Sequence, residues 1–147
     1  MASPVALVKL IIMPLDDDTV RLAKAPTLAT VVTLMPDGQP QALLTWIDTD
    51  GENILVNTEP QRQRGRNIRR DPRVTVLLHS SDNPWDWSEV RGRVVSTITG
   101  QQARDHIDEL SRKYVGRDYA NPIGPDGRIV YVIQPDKVNT PKSLGFG

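Results

Sequence analysis

Between residues 27 and 58 the chain alternates short β-branched runs with tight-turn signals, and that pattern leaves few folds open. TLATVVTL (27–34) is followed by MPDGQP, whose Asp37-Gly38 pair suits a tight hairpin turn. QALLTWID (41–48) reads as the returning strand. TDG (49–51) makes a second turn into ENILVNT (52–58), so these three runs are expected to form an antiparallel meander. After Asp71-Pro72, RVTVLLHS (73–80) is a fourth strand. SDNPWD (81–86) is a loop, and WSEVRGRVVSTIT (87–99) is a long strand with Gly92 as a bulge or close-approach point. RIVYVIQPDKV (128–138) closes the series. Six mostly antiparallel strands point to a closed or split barrel, in which closure removes exposed sheet edges.

Helices punctuate the strands. Asp17 or Asp18 can cap a short helix to about Lys24, stopped before Pro26. Thr99 and Gln102 have capping-box spacing, Ala103, Ile107, Leu110 and Tyr114 form one apolar stripe, and Gly116 ends it. Two to four short helices are expected in all. Residues 116–127 form a turn-rich loop carrying Tyr119. The domain reading is an N-terminal extension and short helix (1–25), a barrel domain (26–138) and a tail (139–147).

The 147 residues fit one domain. The chain has no cysteine, which excludes disulfides, a thiol nucleophile and cysteine-ligated metal, and which suits a cytoplasmic protein. The apolar run from Val5 to Met13 is too short to span a bilayer and leads into three aspartates, so neither a membrane segment nor a signal peptide is expected.

One stretch, PQRQRGRNIRRDPR (60–73), holds six of the thirteen arginines, although the chain's formal net charge is zero. A solvated basic helix face is the usual use of such a run. The spacing allows another. A loop through about Gly65 and a helix to about Arg70 would set Arg62 and Arg64 beside the unpaired N–H groups of a helix start, where guanidinium forks and amides together hold phosphate. Arg69 and Arg70 would then sit at the helix C-terminus, and Asn67 would cap or brace the local backbone. Nucleic acid is a poor partner: the sequence pI is about 6.7, and no aromatic residue is interleaved with the arginines.

No protein-based catalytic constellation is visible. His79 and His106 lack metal-ligand spacing, so no metal site is expected. Ser80-Ser81-Asp82 reads as a turn, and no glycine-rich nucleotide loop occurs. A chain of this kind suits a redox cofactor that carries the chemistry while the protein binds, orients and shields it.

The ordered set APTLATVVTLMPDGQPQALLTWIDTDGENILVNT, RQRGRNIRRDPRVTVLL and VRGRVV resembles the pyridoxamine 5′-phosphate oxidase-like split β-barrel superfamily. Its nearest likeness is to the actinobacterial flavin/deazaflavin oxidoreductases that use coenzyme F420. The likeness covers roughly residues 20–138. It implies a six-stranded antiparallel split barrel of Greek-key type (the FMN-binding split barrel). It also implies a homodimer with sites at the interface, and hydride transfer between F420 and a small unsaturated substrate. Carried onto this chain, it places Arg62 and Arg64 on the cofactor phosphate, with Arg64 where relatives often have Lys. Asn67 would fix the cradle. Asn57 and Thr58 would approach the ring or ribityl chain, and Trp46 and Trp87 would flank the ring, one of them from the partner subunit. Each has a plainer use: the tryptophans as core or dimer packing, Asn57-Thr58 as a strand end. FMN would bind through similar phosphate contacts. A non-catalytic flavin, deazaflavin or haem carrier, with His79 as haem ligand, is the alternative from another class. The loop 116–127 would either cover the site or be inert.

Overall fold

The structure is a computed structural model that describes residues 14–146. The apolar run from Val5 to Met13, in the first half of the expected N-terminal segment 1–25, lies outside the described residues. Helix α1 (Asp17–Lys24) leads into β1 (Ala29–Leu34), β2 (Pro40–Thr45), β3 (Asp48–Thr49) and β4 (Ile54–Thr58). Helix α2 (Gln63–Arg70), β5 (Arg73–His79), β6 (Trp87–Ile98), α3 (Gly100–Val115) and β7 (Ile129–Asn139) follow. The strands form one antiparallel sheet in the order β2-β1-β5-β6-β7-β4-β3.

That order carries the architecture. Laid flat, seven strands about 4.8 Å apart would separate the outermost two by roughly 29 Å. Yet β2 ends at Thr45 and β3 begins at Asp48, at opposite ends of the sheet. Two linking residues span at most about 11 Å. The sheet therefore curls until its edges meet, and the seam is crossed by Trp46 and Ile47 without a β ladder: a split barrel.

Two expectations are corrected here. There are seven strands, because the run 41–48 breaks at Trp46-Ile47 into β2 and β3. The three-strand meander does not form either. β2 pairs with β1 alone, while β4 pairs with β7 and β3. The β1–β2 hairpin does turn at Asp37-Gly38, with Gly38 at φ 87°.

Ala29, Val31 and Thr33 of β1 and Val74, Val76 and Leu78 of β5 point inward, in the period-2 pattern of strands buried on one face. Leu15, just before α1, and Leu22 and Ala23 of α1 join this core. The N-cap of α1 is Asp16, one residue earlier than expected, with Oδ1 accepting from the Thr19 amide at 3.1 Å. A buried Thr19–Ser88 hydroxyl pair ties α1 to β6. Gly92 meets its expectation: the β6–β7 register shifts there, and a Cβ would stand 2.2 Å from the Gln134 carbonyl. Thr99 occupies the N-cap of α3, but its side chain makes no capping bond. Gly116, at φ 79°, ends that helix in the left-handed conformation. No helix among the described residues is long and apolar enough to cross a membrane.

The seam is held from α3. At the crossover Ile47 is fully buried, and its two backbone groups need partners outside the ladder. Its amide donates to Tyr114 Oη at 3.0 Å, and its carbonyl accepts from Lys113 Nζ. Tyr114 donates in turn to the Thr27 carbonyl, and its ring stacks on Trp46 at 5.3 Å between centroids. Burial pushes the Tyr114 hydroxyl up to about 12 and the Lys113 ammonium down to about 8.

Candidate functional site

The arginine-rich stretch begins its helix earlier than its sequence implies. Arg62 is the N-cap, with extended backbone, and Gly65 lies inside α2. The glycine is needed for packing: a Cβ there would stand 2.4 Å from the Pro60 carbonyl oxygen and 3.0 Å from Tyr131 Oη. Beneath the helix Asn67 is fully buried. Its Nδ2 donates to Thr33 Oγ1 at 3.0 Å and Gln41 Oε1 at 3.3 Å, and its Oδ1 accepts from Gln63 and Arg70. Asn67 therefore pins α2 to the β1–β2 hairpin from below.

The six arginines divide by partner. Arg66 donates to the Gln61 carbonyl, Arg69 to the Pro60 carbonyl and Arg70 to the Leu34 carbonyl, while Arg73 pairs with Asp71. The first three brace the backbone at the surface, and Arg73 is spent on a carboxylate. Arg62 is well exposed and faces Glu59 at 3.4 Å. Arg64 differs from all of them. It is only 8% exposed, and its guanidinium makes a single hydrogen bond, from Nη1 to Thr45 Oγ1 at 3.3 Å. Among the described residues no carboxylate lies within salt-bridge distance of it. Burial, aided by the Arg62 charge, pushes it down from its ordinary value. A buried cation without a counter-ion is costly, and such groups concentrate where an anion is meant to arrive.

Arg64 lines a cleft of about 500 Å³ together with Thr45, Asn57, Thr58, Arg62, Tyr119 and Arg128, with Leu43 and Leu44 on the β2 side. The first-turn amides of α2, which a helix leaves unpaired, belong to the same segment. Of the three arginines of the cleft, only Arg62 and Arg128 face a carboxylate among the described residues, the same Glu59, and that carboxylate is already committed. Its Oε1 accepts from the Gly124 amide at 3.2 Å, and its Oε2 accepts from Gln61 at 3.0 Å. The Gly124 bond and the Arg62 and Arg128 charges hold the Glu59 carboxyl below its usual range. The cleft thus keeps a positive excess.

A chain of polar contacts runs from this cleft into the protein. Arg128 Nε donates to Asn57 Oδ1 at 2.8 Å. This fixes the Asn57 amide, whose Nδ2 donates to the Ala103 carbonyl at 3.0 Å and to His106 Nδ1 at 3.1 Å. His106 is then the tautomer that donates from Nε2 to Asp48 Oδ2, at 3.0 Å. Burial alone would push the Asp48 carboxyl up. The His106 and Thr49 hydrogen bonds and the nearby lysines outweigh it, and the carboxyl lies below its usual value.

Of the residues singled out from sequence, Arg62, Arg64, Asn57 and Thr58 share the cleft. Trp46 lies beside it, lining an adjoining cavity. Asn67 lies under α2 and does not line the cleft; it holds Gln63, which does. Trp87 and His79 line a separate groove of about 550 Å³ on the outer face of β1, β5 and β6, whose one charged residue is Glu89. That groove is of similar size, but the cations are elsewhere. The loop 116–127 borders the cleft through Tyr119. Sequence reasoning missed Arg128, which looked like the polar end of the last strand, and it read His106 as a structural helix residue. No local signal could have joined them, because β4, β7 and α3 meet only in the folded barrel.

Curled antiparallel sheet and cationic cleft together define a split-barrel protein with an arginine-lined cleft. The chain belongs to the pyridoxamine 5′-phosphate oxidase family, whose sequence model matches residues 15–141. Its structure is similar to that of an F420 reductase, at 27% identity and a TM-score of 0.74, over 86% of this chain and 98% of that one. It also resembles the protein Rv2991 of Mycobacterium tuberculosis, at 22% identity and a TM-score of 0.61, over 100% of this chain and 90% of that one. General Stress Protein 26 of Bacillus anthracis shares the fold at 20% identity and a TM-score of 0.64, over 83% and 89%.

Proposed function

We propose that the cleft binds the phosphate of coenzyme F420 and that the protein is an oxidoreductase acting on a small unsaturated organic substrate. The observation that carries this reading is Arg64, a buried guanidinium beside the start of a helix with no carboxylate partner among the described residues. The similarity to an F420 reductase over most of both chains supports the choice of deazaflavin. When bound in reduced form, the deazaflavin supplies a hydride. The chain's own part is to hold it. Arg62, Arg64 and the α2 amides take the phosphate, Thr45, Asn57 and Thr58 line its path, and Trp46 and Tyr119 border the ring end. A homodimer in which the partner subunit supplies Trp87 agrees with that residue's place in an outer apolar groove. A cytoplasmic location belongs to the same reading.

FMN offers the same phosphate chemistry and is the second reading, favoured by the family match itself. Titrating the purified protein with F420 and with FMN separates the two. F420 is expected to bind the wild type more tightly, and Arg64→Ala is expected to weaken it by roughly tenfold to a hundredfold, the loss of charge-assisted hydrogen bonds. Arg62→Ala should cost less, because Arg62 is solvated at the rim. Equal affinity in wild type and Arg64→Ala would remove the phosphate assignment. Tighter FMN binding would move the assignment to flavin. Binding without turnover of reduced F420 against an enone panel would leave a carrier.

A further inference from the structure

We infer that Arg128 is the anchor of a second anion subsite, which takes the carboxylate of a small planar acid in the cavity adjoining the cleft. This rests on the proposed function, because it assigns to the substrate the cavity that the cofactor phosphate leaves free.

The adjoining cavity, of about 270 Å³, shares Thr45, Asn57, Tyr119 and Arg128 with the cleft. Arg64 lines only the cleft, whereas Arg128 lines both, so the two buried cations mark two poles of one continuous space. The side chain of Arg128 is 7% exposed. It is held from behind through Nε by Asn57, and one face of its guanidinium lies over the Tyr119 ring at 5.3 Å. Its Nη end is less well served. The nearest carboxylate oxygen, Glu59 Oε1, is 3.9 Å away, beyond hydrogen-bond reach, and already accepts from Gly124. A guanidinium fixed at Nε, with its outer edge short of acceptors, suits two-point recognition of a carboxylate.

The remaining walls select the body of the ligand. Trp46 and Tyr119 stand edge to face at 6.3 Å, and Ile107 completes an apolar side. Asn121, on the exposed loop, lines the same cavity. A flat apolar body bearing one carboxylate matches this set. The relay Asp48–His106–Asn57 is then a positioning device that fixes the direction of the Arg128 fork.

The test is calorimetric titration of the full chain with cinnamate and with its neutral analogue cinnamamide, with and without F420. Cinnamate should bind the wild type and lose roughly tenfold to a hundredfold in affinity in Arg128→Ala. Arg128→Lys should fall between, and cinnamamide should bind wild type and Arg128→Ala alike. Asn121→Asp, an exposed change that leaves Arg128 in place, should weaken cinnamate by about threefold or more through charge repulsion. It should leave cinnamamide unchanged, and this variant decides the matter if Arg128→Ala does not fold. No cinnamate binding, equal cinnamate affinity across these variants, or parallel loss of acid and amide would overturn the inference. So would a loss of F420 affinity in Arg128→Ala as large as in Arg64→Ala, which would give Arg128 to the cofactor phosphate. Failure of F420 binding with the cinnamate pattern intact would remove the proposed cofactor and leave this subsite standing.

Discussion

Replacing Arg64 by Met should make the ligand-free protein more stable and the ligand-bound protein less so. Arg64 sits in the first turn of α2, 8% exposed, with one 3.3 Å hydrogen bond to Thr45 and no carboxylate beside it among the described residues. Burying a charge costs several kcal/mol even after local relaxation. A cation near a helix N-terminus costs about 0.3–1 kcal/mol more. Against this stands one long charge-assisted hydrogen bond, worth about 1.5 kcal/mol, and whatever hydration the cleft allows. Met keeps the aliphatic stem and has nearly the same helix propensity as Arg. The balance favours the variant by about 1–2 kcal/mol, or roughly 3–6 °C in Tm for a domain of this size. Ligand works the other way: far above both Kd values the wild type gains on the variant by the affinity ratio, about 1.4–2.7 kcal/mol for a tenfold to hundredfold loss, and the upper part of that range reverses the order. Urea and thermal unfolding of both proteins, with and without F420, read this crossing directly. A less stable Arg64→Met in the absence of ligand would refute the reasoning, because the guanidinium would then be compensated within the protein and not kept for an anion.

Two further changes test how the cleft is held. Gly65→Ala gains about 1 kcal/mol of helix propensity. It also places a Cβ 2.4 Å from the Pro60 carbonyl, so overpacking of about 1–3 kcal/mol should dominate and lower both Tm and F420 affinity. A raised Tm would show that α2 is free to shift. Tyr114→Phe leaves the Ile47 amide and the Thr27 carbonyl without their partner and should cost about 1–3 kcal/mol in urea unfolding at neutral pH. The Tyr114 hydroxyl is raised from 10.0 to about 12 in the fold, so its contribution is complete below pH 10 and is lost as pH rises towards 12. The stability gap between wild type and Tyr114→Phe should therefore narrow across that window. A gap that stays constant would place the seam's anchorage elsewhere.

The parts of this protein that sequence reading reached are those whose cause is local. Alternating β-branched residues made β1 and β5, Asp37-Gly38 made their neighbouring hairpin, and Gly116 ended α3, each within a few residues of its own cause. What it missed depends on closure. TWID looks like uninterrupted strand, yet Trp46 and Ile47 carry the chain from one sheet edge to the other, and Ile47 is satisfied there only by Lys113 and Tyr114 of a helix not yet formed in the chain. Partner choice in a ladder is a long-range outcome, so β4 takes β7 in place of the nearer β2. The cleft inherits both kinds of cause. Its Arg64 pole belongs to a compact motif and could be read from spacing, although propensity placed Gly65 outside the helix that packing required it to join. Its Arg128 pole has no motif. It is a single arginine before an apolar strand, buried only because the β4–β7 ladder, α3 and the 116–127 loop converge on it. A motif can therefore mark where the proposed cofactor phosphate would be held, but the opposite pole, where the proposed substrate would be chosen, is written in the topology.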